Sequence, residues 1–202
     1  MSEPISTKGR ILDAAEKLFG MNGFEATSLR DITAEAGVNL AAVNYHFHSK
    51  DSLIDATIER RIEPVNRKRL EILEALGPGP TLGGSLAAFL EPVMMSDFRP
   101  VVPLIGRVMS NPEMFQDRVF RNHLMHISQR FQEALGRALP ELTKAEIVWR
   151  YTFTVGIMHH ILCWSDILPV ASGGICTMDD RAALLERVVS FAAAGFRSAS
   201  KV

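Results

Sequence analysis

The sequence predicts an all-α protein of about nine helices, and three observations carry that reading. Apolar residues recur every three to four positions along most of the 202 residues. No segment alternates with the period of two that marks a strand. Capping residues and Gly/Pro breaks stand where helices should begin and end. Together they divide the chain into a small amino-terminal unit, residues 1–50, and a larger helical body, residues 51–202.

In chain order, Ile11, Leu12, Ala15, Leu18 and Phe19 form the inward stripe of a first helix that Gly23 ends. Ser28 followed by Asp31 has the spacing of a capping box and opens a short helix, with Leu29 and Ile32 inward, that closes at Ala36-Gly37. Asn39 caps a third helix running to about Phe47. Ser49 caps a long fourth helix with the seam Ile54, Ile58, Ile62, Val65, Ile72, Leu73 and Leu76. The run Gly77-Pro-Gly-Pro-Thr-Leu-Gly-Gly84 stops it.

Beyond that break come a short apolar helix over 85–95, a proline-bounded piece over 101–109, and a long amphipathic helix from Pro112 in which Phe120, Leu124, Ile127, Phe131 and Leu135 keep register. Thr143 with Glu146 forms another capping box, opening a helix to about Leu168 that is apolar on nearly every side and must be covered on more than one face. A loop at Ala171-Ser-Gly-Gly174 precedes a last helix over 179–199.

Composition excludes several classes. At 47% apolar and 22% charged, the chain can bury a core and is not a disordered tail. Two cysteines, Cys163 and Cys176, fit neither a disulfide framework nor a four-ligand zinc site, and a reducing cytoplasm is the expected compartment. No window reaches the apolar length of a membrane span, and the start lacks the pattern of a signal peptide. There is no phosphate loop, nucleophile elbow or metalloprotease motif, so neither catalysis nor a cofactor is expected.

The helices flanking Gly37-Val38, about residues 28–47, have the length, the glycine turn and the inward set (Leu29, Ile32, Val38, Val43, Phe47) of a helix-turn-helix. With its flanks (Ile11-Leu-Asp-Ala-Ala-Glu-Lys-Leu-Phe19, Gly23-Phe24, Thr27-Ser-Leu-Arg-Asp-Ile32, Ala36-Gly-Val38 and Tyr45-His-Phe-His-Ser-Lys50) it strongly resembles the TetR/AcrR family of bacterial repressors. The resemblance is tight over residues 8–55 and rests on helix order elsewhere. It implies a homodimer whose third helix enters the major groove of operator DNA and whose larger domain binds a ligand.

Carried over by position, the resemblance places Asn39, Ala41, Ala42, Asn44, Tyr45 and His46 on the groove-facing helix. Thr27, Ser28 and Arg30 fall on the helix before it, and Lys50 at the phosphate edge. Side-chain chemistry suits these roles: Asn44 can pair bidentately with adenine, Ala41 and Ala42 admit thymine methyls, and Tyr45, His46, Thr27 and Ser28 can donate to phosphates. Many members carry an aromatic where this chain has Asn44. Residues 1–50 hold five basic and six acidic side chains, so binding must rest on few phosphate neutralisations, helix amino termini and neutral donors.

Among other clusters, Arg60, Arg61, Arg67, Lys68 and Arg69 read as a solvated helix face rather than a DNA patch. His159, His160 and Cys163, and likewise His123 and His126, read as core or pocket polar residues rather than metal ligands. Phe89, Met94, Leu104, Met109, Phe120, Met125, Phe153 and Met158 suit a core, and the resemblance implies that a small apolar or amphipathic effector binds among them. Asn39-Leu-Ala-Ala-Val-Asn-Tyr-His-Phe47 and Ile147-Val-Trp-Arg150 are similar to the fatty-acid-responsive PsrA-like branch of the family. That similarity implies a fatty acid or acyl thioester, with Arg99, Arg107 or Arg150 for its head.

The last two helices, about 143–168 and 179–199, offer a dimer surface as half of a two-fold four-helix bundle. The function expected is a ligand-responsive repressor; the alternative is a helical small-molecule-binding or scaffold protein without sequence-specific DNA binding.

Overall fold

The computed structural model describes residues 6–96, 102–164 and 166–199. Its elements are α1 (Thr7–Asn22), α2 (Leu29–Ala36), α3 (Leu40–Phe47), α4 (Lys50–Ala75), α5 (Leu82–Met94), α6 (Val102–Met109), α7 (Pro112–Met114), a π-helical segment (Phe115–Leu124), α8 (Met125–Ala138), α9 (Lys144–Cys163), α10 (Ile167–Ala171) and α11 (Arg181–Arg197). The described residues contain no strand, as the periodicity predicts. Two differences from the expected elements stand out. The helix expected from Pro112 onward is π-helical for ten residues, with wider turns than an α-helix. The helix expected to reach Leu168 stops at Cys163, and α10 starts separately with Pro169 in its first turn, where no N–H is needed.

The chain forms two compact units. The first comprises residues 1–64 and 100–124, the second residues 65–99 and 125–202. In the first, Ile11, Ala15, Phe19, Ile32, Val43, Phe47, Leu53 and Ile58 are buried where α1, α2, α3 and the start of α4 meet. Ion pairs bind these helices together. Arg61 of α4 grips the buried Glu16 of α1 bidentately, with both N–O distances 2.6 Å, and Arg60 reaches Asp13 at 2.7 Å. Arg118 of the π-helical segment bridges Asp51 (2.7 Å) and Asp55 (3.1 Å) at the start of α4. Arg107 of α6 donates to the carbonyl oxygens of Gly20 and Met21, which the end of α1 leaves unpaired.

The second unit is an apolar core. Phe89 of α5 packs edge-on to Phe131 of α8 and tilted against Tyr151 of α9, with ring centres 5.2 and 5.1 Å apart. Leu86, Leu90, Ile127, Leu135, Ile147, Val188 and Phe196 complete it. Arg150 of α9 is buried beside Glu146 and donates to the carbonyl oxygens of Phe196 and Ser198, holding the end of α11. The basic stretch of α4 is not a uniform solvated face. Arg60 and Arg61 are paired with α1, Arg67 and Lys68 reach Glu71 at the surface, and Arg69 is only 4% exposed.

Candidate DNA-binding site

Each element of the motif has a local cause. Ser28 caps α2 through a reciprocal box: its hydroxyl accepts from the Asp31 backbone N–H, and the Asp31 carboxylate accepts from the Ser28 backbone N–H at 2.9 Å. Hydrogen bonds from Ser28 hold the Asp31 carboxyl below its ordinary value of 3.8. Gly37 ends α2 in the left-handed conformation at φ 62°, a turn that a residue with a Cβ resists. Asn39 then caps α3 by accepting from the Ala42 backbone N–H at 2.9 Å.

The α3 helix is anchored by two side chains. Val43 and Phe47 are buried, so Ala41, Asn44 and Tyr45 face outward, with Tyr45 79% exposed, while Ala42 and His46 are half-buried. Tyr45 meets His46 edge-on with ring centres 5.1 Å apart. At the end of α3, His48 adopts φ 64° and ψ −38°, and Ser49 N–H bonds back to the Phe47 carbonyl at 2.7 Å. This γ-turn is a strained conformation for a non-glycine residue. It turns the chain sharply into α4 and sets Lys50, half-buried, with Nζ 3.3 Å from the Glu25 carbonyl oxygen.

Ser28, Arg30, Asn39, Ala41 and Asn44 are exposed and belong with Tyr45, His46 and Lys50 to the same helix-turn-helix. Thr27 is a correction. It is buried, and its hydroxyl faces the carbonyl oxygens of Gly23 (2.8 Å) and Leu18 (3.2 Å), closing the end of α1 instead of facing a phosphate. Sequence reasoning also missed the Glu16–Arg61 lock, whose α1–α4 pairing no local spacing announces. The Glu16 carboxylate raises the pKa of the Arg61 guanidinium.

The residues expected around an effector do not form one group. Leu104, Met109 and Phe120 belong to the first unit, and Phe89, Met94, Met125, Phe153 and Met158 to the second. Phe89, Met94 and Leu104 are buried, Phe120 and Met158 half-buried, and Met109 and Met125 exposed. Phe153 is 60% exposed and stacks on Trp149 at 5.9 Å along an open groove of about 460 Å³ between α9 and α11. Of the arginines expected at a polar head, Arg107 and Arg150 are occupied by backbone carbonyls and, for Arg150, by Glu146. Arg99 lies outside the described residues.

Among the described residues, no three of His, Cys, Asp and Glu converge as a metal site. Cys163 Sγ lies 3.4 Å from His159 Nε2, and burial raises the thiol pKa. No described helix is long and apolar enough to cross a membrane.

Residues 11–57 match the family described as bacterial regulatory proteins, tetR family, and residues 87–195 match the tetracyclin repressor-like C-terminal domain. The chain belongs to the TetR family. The family is one of bacterial regulatory proteins. The probable HTH-type transcriptional regulator YttP of Bacillus subtilis is 37% identical over 59 residues, 29% of this chain and 28% of that protein. The HTH-type transcriptional repressor KstR2 of Mycolicibacterium smegmatis is 28% identical over 93 residues, 46% of this chain and 45% of that protein. The chain thus spans less than half the length of these curated TetR-type relatives. The crystal structure of Mycobacterium smegmatis AmtR superposes with a TM-score of 0.67 at 16% identity, over 99% of this chain and 90% of that one, and shares the fold.

Proposed function

We propose that this TetR-family chain is a cytoplasmic, dimeric, operator-binding repressor that a small apolar or amphipathic effector releases from DNA. One observation carries the reading: Val43 and Phe47 bury one side of α3 and leave Ala41, Asn44 and Tyr45 outward, an arrangement suited to a major groove that admits a single helix. Asn44 reads adenine, Ala41 and Ala42 meet thymine methyls, and Ser28, Arg30, Asn39, Tyr45, His46 and Lys50 hold the sugar-phosphate edge. The DNA-binding domain is residues 1–50, and the rest of the chain binds effector and dimerises.

The dimer uses α9 and α11. Trp149 and Phe153 (each 60% exposed) and Phe191 (71%) are large apolar side chains on these two helices, which a second copy of the same face would cover. Effector binding belongs to the second unit, with Phe89, Met94 and Met158 in contact with it.

Fluorescence anisotropy on a selected operator tests the DNA contacts. Asn44→Ala is expected to relax preference at one base pair by about 1–3 kcal/mol, and Lys50→Ala to weaken binding to all sequences alike and flatten the salt dependence. An Asn44→Ala loss that is equal on specific and random DNA, or a Lys50→Ala loss confined to the selected operator, would contradict the assignment.

A further inference from the structure

Among the described residues of the second unit, two arginines are buried, and they are handled differently. Arg150 has the Glu146 carboxylate at 2.8 Å. Arg69, on α4, has no carboxylate within ion-pair distance among the described residues. Its Nε donates to the Phe89 carbonyl at 2.8 Å, one Nη reaches Asn66 Oδ1 at 3.3 Å, and the other points at the Met158 thioether sulfur at 3.3 Å. Its guanidinium carbon lies 4.1 Å above the centre of the Phe89 ring.

This guanidinium is charged, stripped of water and underused. Burial pushes its pKa down to about 10, still far above neutrality. It has five N–H donors, and three acceptors meet it, one of them a weakly accepting sulfur. The Nε donates to a carbonyl of α5 next to that of Ala88, the one that Pro92, lacking an N–H, leaves without its helical partner. Nothing in that role needs a full positive charge. A buried cation without a counter-ion is a costly feature, and an entering anion relieves the cost.

We infer that Arg69 is the head-group receptor for the effector, and that the effector is an amphipathic monocarboxylate whose planar carboxylate takes the position the Met158 sulfur holds against the guanidinium. A carboxylate matches the fork of an arginine through two parallel N–H···O bonds, which a thioether does not. The unbranched Met158, half-buried, can swing aside without breaking the helix. Phe89 supplies an aromatic floor, and the partly buried Leu70, Val155, Ile157 and Ile161 supply apolar surroundings in the same unit for the tail. The inference rests on the effector-released repressor reading and specifies the effector's chemistry.

Full-length protein titrated with decanoate and with 1-decanol, followed by thermal shift and by release of DNA, separates the two. The expected result is decanoate binding about tenfold tighter than decanol, and Arg69→Met cutting decanoate affinity to the level of decanol while leaving decanol affinity unchanged. Arg69→Lys should retain part of the preference. Carboxyl-labelled [1-¹³C]decanoate bound to the unmodified protein gives a readout that needs no variant. Its carboxyl resonance should hold one ionised position between pH 5 and pH 7 while that of the free acid moves. Equal binding of acid and alcohol, no binding of decanoate, or a bound carboxyl that titrates like the free one would overturn the role of Arg69. Release of DNA by decanol with no charge preference would do so while leaving the effector-released repressor intact, and loss of DNA binding without any effector would strike the repressor reading itself.

Discussion

The two compact units are held together by different physics. In the first, helices are pinned by charge pairs that cross between elements: Glu16–Arg61, Asp13–Arg60 and Arg118 with Asp51 and Asp55. In the second, interlocking aromatic rings of Phe89, Phe131 and Tyr151 dominate and, among the described residues, one buried arginine lies beside an acid and one does not. Paired charges define relative helix positions through geometry, which suits the DNA-reading role proposed for α3. The second unit, held by apolar packing, is the one proposed above to bind the effector. Arg69, without a carboxylate in ion-pair distance among the described residues, is where the proposed effector would bring its charge.

The largest expected effect lies in the second unit. Phe131→Ala should lower stability by about 3–5 kcal/mol, since the ring is fully buried and its removal leaves a cavity. Amide hydrogen exchange should show the loss of protection concentrated in α5, α8, α9 and α11, nearly independent of salt. Loss of protection spread evenly over α1–α3 as well would break the contrast between the units.

Next in size, Glu16→Ala should lower stability by about 1–3 kcal/mol, because the carboxylate is buried while the Arg61 side chain, 42% exposed, recovers water. Protection should fall first in α1 and the amino-terminal half of α4, and DNA affinity should fall with it. Raising salt should narrow the gap between Glu16→Ala and the unmodified protein if the surface-exposed pairs around it contribute. A Glu16→Ala variant with unchanged protection in α1 would remove the ionic half of the comparison.

How much of this was legible in the sequence follows from range. The capping box at Ser28 and Asp31, the Gly37 turn and the Asn39 cap are local, and each was readable because the cause lies within three or four residues. The apolar stripes of α5, α8 and α11 were readable by period. The fate of Arg69 was not, although a trace existed. Ile54, Ile58, Ile62, Asn66, Arg69 and Leu73 recur at intervals of three and four on α4, so Asn66 and Arg69 continue the apolar seam. Charge alone sorted Arg69 with its exposed neighbours. The Glu16–Arg61 lock depends on a contact between elements and leaves no local signature, and the periodicity does not distinguish the π-helical segment at 115–124 from an α-helix. Phe153 suits a pocket by composition, yet its neighbours Trp149 and Phe191 place it on an exposed face.

The smallest predicted effect sharpens the first unit. The folded Asp31 carboxyl titrates below 3.8 because Ser28 donates to it. A depressed acid stabilises the folded state above its unfolded pKa, and that contribution is lost as pH falls through the lowered value. Thermal melts between pH 5 and pH 2 should therefore show a steeper loss for the unmodified protein than for Asp31→Asn, and parallel curves would contradict the capping role.

The central claim is that α3 of a two-fold dimer reads DNA. Selection of bound sequences from a random duplex library by the purified full-length protein, at one stated salt concentration, tests it most directly. The account predicts a palindromic consensus whose half-sites lie about one helical turn apart, roughly 34–36 Å, or a multiple of it. A library that shows no enriched sequence at low salt, or an enriched site without two-fold symmetry, would contradict it.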